Sequence, residues 1–312
     1  MLRTALLYLS NQPRVFRFVR NNKLAKRFAR RFVAGETLED ALRAIQGLNA
    51  KGISASLDLL GESVTNEREA RAAGAAYVGM LDRIAERRLD ANVSVKLTAM
   101  GLDISEDLCV SIMHEVLRNA HSLNTFVRLD MESSAYTERT LRLFEDRLYP
   151  AYKNHVGIVL QSYLYRTWSD VERAVQMRCR VRLCKGAYKE PASVAFAEKK
   201  EVDANYKKCM QALLEHGNYP AIATHDPQLI QEAKRFAAEH DIDSSRFEFQ
   251  MLYGVRRDLQ EQLVREGYRM RVYVPFGTQW YPYLMRRLAE RPANVAFMTG
   301  NVVREMLPGR KK

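Results

Sequence analysis

Eight short apolar runs, each followed by a longer segment with helical spacing, are the feature that most constrains the fold of this 312-residue chain. The runs are "GISASLDLL" (52–60), "NVSVKLTA" (92–99), "TFVRLDM" (125–131), "VGIVLQSY" (156–163), "CRVRLCKGA" (179–187), "AIATHD" (221–226), "FEFQML" (247–252) and "MRVYVPF" (270–276). Segments between them, such as "PQLIQEAKRFAAEH", space their apolar residues three and four apart, as amphipathic helices do. Eight strand–helix units in succession predict an α/β fold in which a parallel sheet closes into a (β/α)₈ TIM barrel.

An open, doubly wound sheet is the alternative architecture for the same alternation. The sequence contains no G-x-G, so both the Rossmann fingerprint and the Walker phosphate loop are missing, which favours the closed barrel. A chain of this length can form one large domain with a single core. We therefore predict an N-terminal helical segment over residues 1–50 and a barrel over residues 51–312.

The N-terminal segment carries much of the formal net charge of +12. Residues 1–34 contain nine Lys or Arg residues, and no acidic residue precedes Glu36. Aromatic and apolar residues alternate with these cations, so basic amphipathic helices are predicted there. Solvent is the simplest environment for the basic face; anionic lipid and nucleic acid are the alternatives, and no nucleic-acid motif accompanies the charge. Thr37 is a predicted N-cap for the helix that follows.

Several classes of protein are disfavoured by what the sequence lacks. The four cysteines form no C-x-x-C pair, which indicates free thiols in a reducing compartment. No H-x-H motif occurs in the strand-like runs, so no metal site is predicted. No apolar run is long enough to cross a bilayer.

Polar side chains interrupt runs that should be almost purely apolar, since parallel barrel strands are buried on both faces. They are Lys96, Arg128, Asp130, Glu132, Gln161, Arg182, Lys185, Thr224, His225, Asp226, Gln250 and Tyr273. Most fall in the second half of their run, and the carboxyl ends of barrel strands converge on the active-site mouth. A polar site at that end is therefore predicted. The competing interpretation for single residues is an ion pair inside the barrel, such as Arg128 with Glu132.

The segment after the eighth run places four polar or aromatic residues on one face of a predicted helix. Tyr283, Arg286, Arg287 and Glu290 stand at i, i+3, i+4 and i+7 of one helix. Two neighbouring guanidiniums fit a carboxylate or phosphate, so the pair is interpreted as an anion clamp. A surface ion-pair ladder with Glu290 is the alternative.

The motifs "SVKL", "VRLDME", "VRLCKGAY", "ATHD", "FEFQML" and "VYVPFGT…YLMRRLAE" occur in the order found in proline dehydrogenases, both the monofunctional bacterial enzymes and the matching domain of bifunctional proline-utilisation flavoenzymes. The chain resembles this family over about residues 52–300. The resemblance implies a distorted barrel with non-covalent FAD. It further implies oxidation of L-proline to Δ¹-pyrroline-5-carboxylate by hydride transfer from proline C5 to flavin N5, with electrons passed to a membrane quinone.

The resemblance also implies a substrate site. Arg286, Arg287 and Lys96 match the residues that take the proline carboxylate, and Asp130 matches an acid expected to partner Lys96. Tyr273 and Tyr283 match the aromatic walls over the pyrrolidine ring, and an aromatic at position 273 is expected to disfavour hydroxyproline. Lys96, Asp130 and Arg182 are the expected catalytic residues.

A cofactor site follows from the same resemblance. Arg182 matches the arginine beside flavin N5. The other residues expected at the cofactor are Gln161, Lys185, Gly186, Ala187, Tyr188, Thr224, His225, Gln250 and Glu290. For His225 a hydrogen-bonded core role is the alternative, and Gly186 has the alternative of only shaping the strand end. Glu62 matches an acid expected to pair with the first clamp arginine and to act as a gate.

Two other functions stay open at this level. One is a Schiff-base or phosphate-binding barrel lyase or isomerase that uses Lys96 or Lys185. The other is a non-catalytic module that binds lipid or nucleic acid through the basic residues 1–34. With the resemblance, the expected partners are L-proline and a quinone, with no nucleic acid. The expected location is the cytoplasm, with peripheral contact to the inner face of the cell membrane through the basic N-terminus.

Overall fold

A closed barrel of eight parallel strands forms the centre of the molecule. The computed structural model describes residues 29–61 and 64–290, with the side chains of residues 286 and 288–290 left out. The strands are β1 (Ser54–Leu59), β2 (Ala91–Val95), β3 (Val127–Leu129), β4 (Val156–Gln161), β5 (Arg180–Cys184), β6 (Ala221–Ala223), β7 (Glu248–Leu252) and β8 (Met270–Phe276). Each strand pairs in parallel with the next along the chain, and β8 closes the barrel on β1. The predicted (β/α)₈ fold is confirmed.

Helices surround the barrel between these strands. They are α1 (Leu38–Asn49), α2 (Glu67–Glu86), α3 (Glu106–Ser122), α4 (Ser134–Leu143), α5 (Tyr149–Tyr152), α6 (Thr167–Gln176), α7 (Lys199–His216), α8 (Pro227–Glu239), α9 (Arg257–Arg265) and α10 (Trp280–Glu290). Short turns of 3₁₀ helix cover Leu97–Met100 and Ser244–Arg246, and a π-helical turn over Phe144–Leu148 links α4 to α5.

The first described helix, α1, begins as the sequence predicts. The Thr37 hydroxyl accepts from the backbone N–H of Asp40, whose carboxylate accepts in return from the Thr37 N–H, which completes a capping box. Leu42 and Ile45 are buried and belong to the same apolar core as the barrel strands. In the part of the chain that the structure describes, this helix therefore packs as part of the barrel. The domain boundary at residue 50 stays a prediction.

The strands end where their apolar residues end. β2 is buried throughout and stops at Val95, and Lys96 follows immediately. In the same way Asp130 follows β3, Lys185 follows β5 and Thr224 follows β6. Since the carboxyl ends of all eight strands lie at one end of a parallel barrel, this pattern brings the polar side chains together there.

The described residues include no helix that combines the length and the apolar character needed to cross a membrane.

Candidate active site

A cavity of about 640 Å³ opens at the carboxyl end of the barrel. Fourteen of the residues predicted for the site line it: Lys96, Asp130, Gln161, Arg182, Lys185, Gly186, Ala187, Tyr188, Thr224, His225, Gln250, Tyr273, Tyr283 and Arg287. They come from seven of the eight strands or the loops after them, and from α10. The structure thus gathers into one cavity residues that are spread over almost 200 positions of the sequence, and their individual roles stay predictions.

Three predicted residues cannot be placed at this cavity. Glu62 lies outside the described residues. Arg286 and Glu290 belong to α10, but their side chains are among those that the structure does not describe. Of the predicted arginine clamp, Arg287 lines the cavity, and its guanidinium carbon lies 5.3 Å from the centroid of the Tyr283 ring.

Arg182 occupies the floor of the cavity and connects four strands. Its Nη1 donates to Asp130 Oδ1 (2.8 Å), and its Nε donates to Gln250 Oε1 (2.5 Å). Nη2 donates to the hydroxyls of Ser56 (3.2 Å) and Ser94 (3.1 Å), which also bond to each other. The side chain is almost fully buried, and its charge is balanced by the one carboxylate of Asp130. The result is a guanidinium with a fixed orientation at the base of the site.

Asp130 is shared between Arg182 and Tyr273. The Tyr273 hydroxyl donates to Asp130 Oδ2 (2.7 Å), and the Arg182 guanidinium carbon lies 5.3 Å from the centre of the tyrosine ring. Burial raises the pKa of Tyr273 well above its ordinary value, and the nearby Asp130 and Asp58 charges raise it further, so the phenol stays protonated and continues to donate. The aromatic ring is therefore held in place from its polar end.

Among the described residues, Lys96 hydrogen-bonds to the carboxylate of Asp58, whereas Asp130, its expected partner, accepts from Arg182 and Tyr273. Lys96 Nζ donates to both oxygens of Asp58 at 3.2 Å, and both side chains are largely buried while lining the cavity. Burial raises the pKa of Asp58, and the Lys96 charge opposes this rise. Asp58 is not among the residues predicted from the sequence. The signal was present, because Asp58 is an isolated acid in the apolar run "SASLDL" and so meets the criterion that selected Asp130.

A second group of charges lies at the side of the cavity formed by the loop after β5. Lys185 Nζ bonds to Asp203 Oδ1 (2.5 Å) and Asp226 Oδ2 (3.1 Å), and Lys199 also pairs with Asp203. Lys185, Lys199 and Asp226 line the cavity, while Asp203 lies on α7. Asp203 was missed because nothing in its helical surroundings separates it from an ordinary surface acid.

Both candidate Schiff-base lysines, Lys96 and Lys185, are therefore held in ion pairs with aspartates. A Schiff-base lysine needs an uncharged, nucleophilic amine, which such pairing disfavours. The geometry gives no support to the lyase alternative.

The loop after β5 is fixed at two points. Glu190 accepts from the backbone N–H of Ser134 at the start of α4 (2.8 Å) and from the Tyr163 hydroxyl (3.0 Å). Gly186 has φ +110°, and a Cβ at this position would lie 2.4 Å from the Tyr163 ring. The requirement for glycine is thus explained by the shape of the strand end, although Gly186 also lines the cavity.

His225 and Gln161 have partners within the protein as well as a place at the cavity. The backbone N–H of Leu252 donates to His225 Nε2 (2.9 Å), which leaves Nδ1 to carry the proton of the neutral ring. Gln161 Nε2 donates to the Met131 carbonyl (3.4 Å). For His225 the core role and the cavity role are both compatible with this geometry.

The proposed ion pair between Arg128 and Glu132 is wrong. Arg128 Nη1 donates to the carbonyls of Ile158 (3.0 Å) and Arg180 (2.6 Å), while Glu132 accepts from Thr98. Burial lowers the pKa of Arg128 to about 9. Arg128 lies on β3 below the residues that line the cavity.

The fold and this cavity define a (β/α)₈-barrel protein with several cationic side chains at a cavity that opens at the carboxyl end of its strands. A family model described as proline dehydrogenase matches residues 41–300. Proline dehydrogenase 1 of Bacillus subtilis (strain 168) is 41% identical over 98% of this chain and 100% of its own length. Proline dehydrogenase of Deinococcus radiodurans is 40% identical over 99% of both chains.

The structural comparison agrees. The crystal structure of proline utilization A (PutA) from Bdellovibrio bacteriovorus, inactivated by N-propargylglycine, superposes with a TM-score of 0.81 at 29% sequence identity. It covers 89% of this chain, which spans about a third of the length of that protein (34%). The chain belongs to the proline dehydrogenase family.

Proposed function

We propose that this chain oxidises L-proline to Δ¹-pyrroline-5-carboxylate with non-covalently bound FAD and passes the electrons to a membrane quinone. The observation that carries the proposal is the convergence of Lys96, Arg182 and Arg287, from three distant segments, on one cavity in a member of this family. A small carboxylate ligand would meet opposite charge on several sides there.

The residues of the cavity fit an FAD group. Its volume of about 640 Å³ falls in the range of small-molecule and cofactor pockets. Met131, Val159 and Leu252 provide apolar wall, whereas Gln161, Arg182 and His225 provide polar groups for a heteroaromatic ring. Lys185 and Lys199 place two ammonium groups at the same cavity, where they suit an anionic diphosphate.

Lys96 and Arg287 are proposed to bind the carboxylate of proline, together with Arg286, whose side chain is not described. Asp58 holds Lys96 at the cavity, so the ammonium needs little reorganisation to meet its ligand. Tyr273, anchored by Asp130, would form one wall for the pyrrolidine ring, and Tyr283 on α10 the other. Fixing both the carboxylate and the ring orients C5, and orientation of this kind can contribute several kcal/mol, roughly 7 in favourable cases.

FAD, when bound, supplies the acceptor for hydride at its N5 atom. Arg182 contributes a positive charge in a buried position, which stabilises negative charge that develops on a neighbouring ring. Asp130 restrains Arg182 and partly offsets its charge. Because the guanidinium is already oriented by four side chains, no reorganisation is required during the reaction.

The purified protein tests the proposal directly. Its absorption spectrum should show flavin bands, and denaturation should release FAD into solution because no covalent link is proposed. Anaerobic addition of L-proline should bleach these bands, with formation of Δ¹-pyrroline-5-carboxylate, and a soluble quinone analogue should restore them. Absence of flavin, or flavin that L-proline leaves oxidised, would refute the proposal.

A matched substrate control uses trans-4-hydroxy-L-proline. It carries the same carboxylate and amine, and the extra hydroxyl would meet the aromatic wall that Tyr273 forms at the cavity. We expect a much lower kcat/KM for hydroxyproline, and Tyr273→Ser should narrow the difference. Equal use of the two substrates would contradict the proposed position of Tyr273.

We also propose that Glu62 gates the site by pairing with Arg286 when substrate is absent. The carboxylate of proline would compete with Glu62 for the same guanidinium. Glu62→Ala should then change the KM for proline and the protease sensitivity of α10, with Glu69→Ala on the exposed start of α2 as the control. If Glu62→Ala keeps the KM for proline and the protease sensitivity of the parent, the gating proposal is wrong.

Membrane contact is proposed for the basic residues 1–34, of which residues 1–28 lie outside the described part of the chain. A quinone dissolved in a bilayer would be reached more easily by a protein held at its surface. The full chain should sediment with vesicles of anionic lipid at low salt and stay in solution with neutral vesicles. Equal sedimentation with both kinds of vesicle would contradict an electrostatic attachment.

A further inference from the structure

A line of polar side chains continues from the floor of the cavity down through the inside of the barrel. Gln250 on β7 accepts from Arg182 Nε through Oε1 (2.5 Å) and donates through Nε2 to Glu248 Oε1 (2.5 Å). Glu248 in turn accepts from Arg271 Nε on β8 (2.9 and 3.1 Å). Within the described structure, Arg271 and Glu248 do not line the cavity, and neither residue has a role in the proposed reaction.

The amide of Gln250 has two possible orientations, and its neighbours permit one. Arg182 Nε is a donor and needs the amide oxygen, whereas the Glu248 carboxylate is an acceptor and needs the amide nitrogen. Turning the amide over would place its NH₂ group against the Arg182 N–H and its oxygen against a carboxylate. Both contacts would be repulsive, and all three side chains are buried, so water would not screen them.

Glu248 is well suited to enforce this orientation because several hydrogen bonds hold its own carboxylate in place. Arg271 binds it through Nε and also donates from Nη1 to the Ala55 carbonyl (2.8 Å). The Tyr219 hydroxyl donates to the second carboxylate oxygen (3.2 Å). Although burial opposes ionisation of Glu248, the charge and hydrogen bond of Arg271 lower its pKa below the ordinary value. It therefore stays an acceptor at neutral pH.

We propose that Glu248, held by Arg271, is a positioning residue for Arg182 and acts by fixing the amide of Gln250. This inference rests on the proposed function, since it concerns the guanidinium that faces the flavin. Without Glu248, the Gln250 amide is free to turn, Arg182 loses its Nε acceptor, and its charge moves relative to the bound cofactor. The reduced cofactor is then less stabilised, while the carboxylate site at Lys96 and Arg287 is left intact.

The principal test is the double variant Glu248→Met/Arg271→Met. It removes a positive and a negative charge together, so the net charge inside the barrel stays the same. Buried ion pairs replaced in this way by apolar residues of similar size often leave stability unchanged. We expect a fall of roughly tenfold or more in the rate constant for flavin reduction by proline, with a Kd for proline within about threefold of the parent.

The midpoint potential of bound FAD provides a readout that does not depend on turnover. It should become more negative, and a tenfold loss in relative affinity for the reduced form corresponds to about 30 mV for a two-electron couple. The control is Arg166→Met/Asp170→Met, which removes a pair of similar length (2.8 Å) at the start of the outer helix α6, with no hydrogen bond to the side chains that bind Arg182. The control should keep the parent potential.

A second variant tests the positioning role of Glu248 if the double variant does not fold. Glu248→Asp keeps the charge and a carboxylate partner for Arg271, but it withdraws the carboxylate from Gln250 by one methylene. We expect the flavin reduction rate and the midpoint potential to change in the same direction as in the double variant, but by less. If the parent binds FAD that proline reduces, and the folded variants keep the parent potential and reduction rate, the positioning role is wrong. A parent without flavin, or inert to proline, would instead defeat the proposed function.

Discussion

At the carboxyl end of the barrel, Arg182 and Lys96 pair with aspartates that also line the cavity, whereas at the amino end Arg128 and Arg271 are surrounded by protein atoms. Both ends bury guanidinium groups, and sequence alone treats them alike. The difference lies in what surrounds them. At the amino end the acceptors are backbone carbonyls and Glu248, and Arg128 Nε is buried without a hydrogen-bond partner among the described residues, whereas at the carboxyl end Arg182 and Lys96 also border the cavity.

The amino end shows how closely such a charge can be enclosed. A Cβ on Gly157 would lie 2.4 Å from the Arg180 carbonyl and 2.8 Å from Arg128 Nη1, so only glycine leaves room for the guanidinium between β3, β4 and β5. The Arg128 guanidinium carbon also lies 4.8 Å from the centre of the Phe126 ring. Arg128 is buried and does not line the cavity described above. Charge in a barrel strand indicates a site only when a cavity accompanies it.

The largest difference between the two ends is expected when one arginine is removed from each end. Arg182→Met should lower kcat for proline oxidation by about 10²–10³-fold, because a pre-oriented charge at the reacting ring is lost. Arg128→Met should keep kcat within about twofold and lower the free energy of unfolding by about 1–3 kcal/mol, since two carbonyls lose a charged donor. Steady-state kinetics and urea unfolding measure the two quantities. Equal losses of activity in both variants would show that the ends are not functionally distinct.

Asp58→Asn tests whether a ligand can replace a protein partner at the carboxyl end. The variant leaves the largely buried Lys96 without this carboxylate, so its ammonium should gain more from an added carboxylate than it does in the parent. Tetrahydro-2-furoic acid, a carboxylate analogue of proline without the amine, should raise the melting temperature of the variant more than that of the parent.

The matched control for this experiment is Tyr77→Phe, which removes only a 3.4 Å contact to the same carboxylate. Its free energy of unfolding should fall by about 1 kcal/mol, as expected for one hydrogen bond, and its gain from the analogue should match that of the parent. If the analogue stabilises parent and Asp58→Asn equally, Lys96 does not share the ligand site, and the proposed carboxylate binding would have to be revised.

The two ends should also respond to pH with opposite sign. The pKa of Glu248 is lower in the folded protein than its ordinary value of 4.5, so its contribution to stability is full above that value and is lost as pH falls through the folded pKa. The destabilisation caused by Glu248→Gln should therefore shrink from about pH 6 to about pH 3.

For Asp58, burial raises the pKa, and its contribution is full below the ordinary value and lost as pH rises through the raised one. The free energy of unfolding of the parent minus that of Asp58→Asn should consequently fall as pH rises. Urea unfolding of both variants and the parent across this range provides the measurement. Parallel pH profiles would show that the two carboxylates share one electrostatic environment.

The smallest effect is expected at Cys184, which lies at the cavity but has the character of a core residue. Burial raises its pKa to about 12, as it does for Cys109, Cys179 and Cys209. The thiol is therefore protonated at pH 8 and a poor nucleophile. In the native protein a disulfide reagent should label Cys184 as slowly as Cys209 on α7, and Cys184→Ala should change kcat less than about twofold. Rapid labelling of Cys184 alone would indicate a reactive thiol at the site.

Much of the site could be predicted because a polar residue marks the end of several strands in the sequence. Lys96, Asp130 and Lys185 are the first residues beyond their strands, and an ionisable residue at the end of an apolar run can be recognised without a structure. Asp58 is also an ionisable residue near the end of an apolar run, one position inside the end of β1, and was overlooked. Glu248 could not be recognised as part of this system, because its link to Arg182 passes through Gln250 and depends on the rotation of one amide.

The sequence by itself determined the closed barrel and the end at which the polar groups gather, because strand length, helical spacing and the order of elements are local properties of the chain. Only the tertiary structure decided which charged side chains pair with each other. Lys96 pairs with Asp58 across 38 positions and Arg182 with Asp130 across 52, while Arg128 turns away from its close neighbour Glu132. These choices follow from the register of neighbouring strands and the space between their side chains, and neither quantity is carried by local spacing in the sequence.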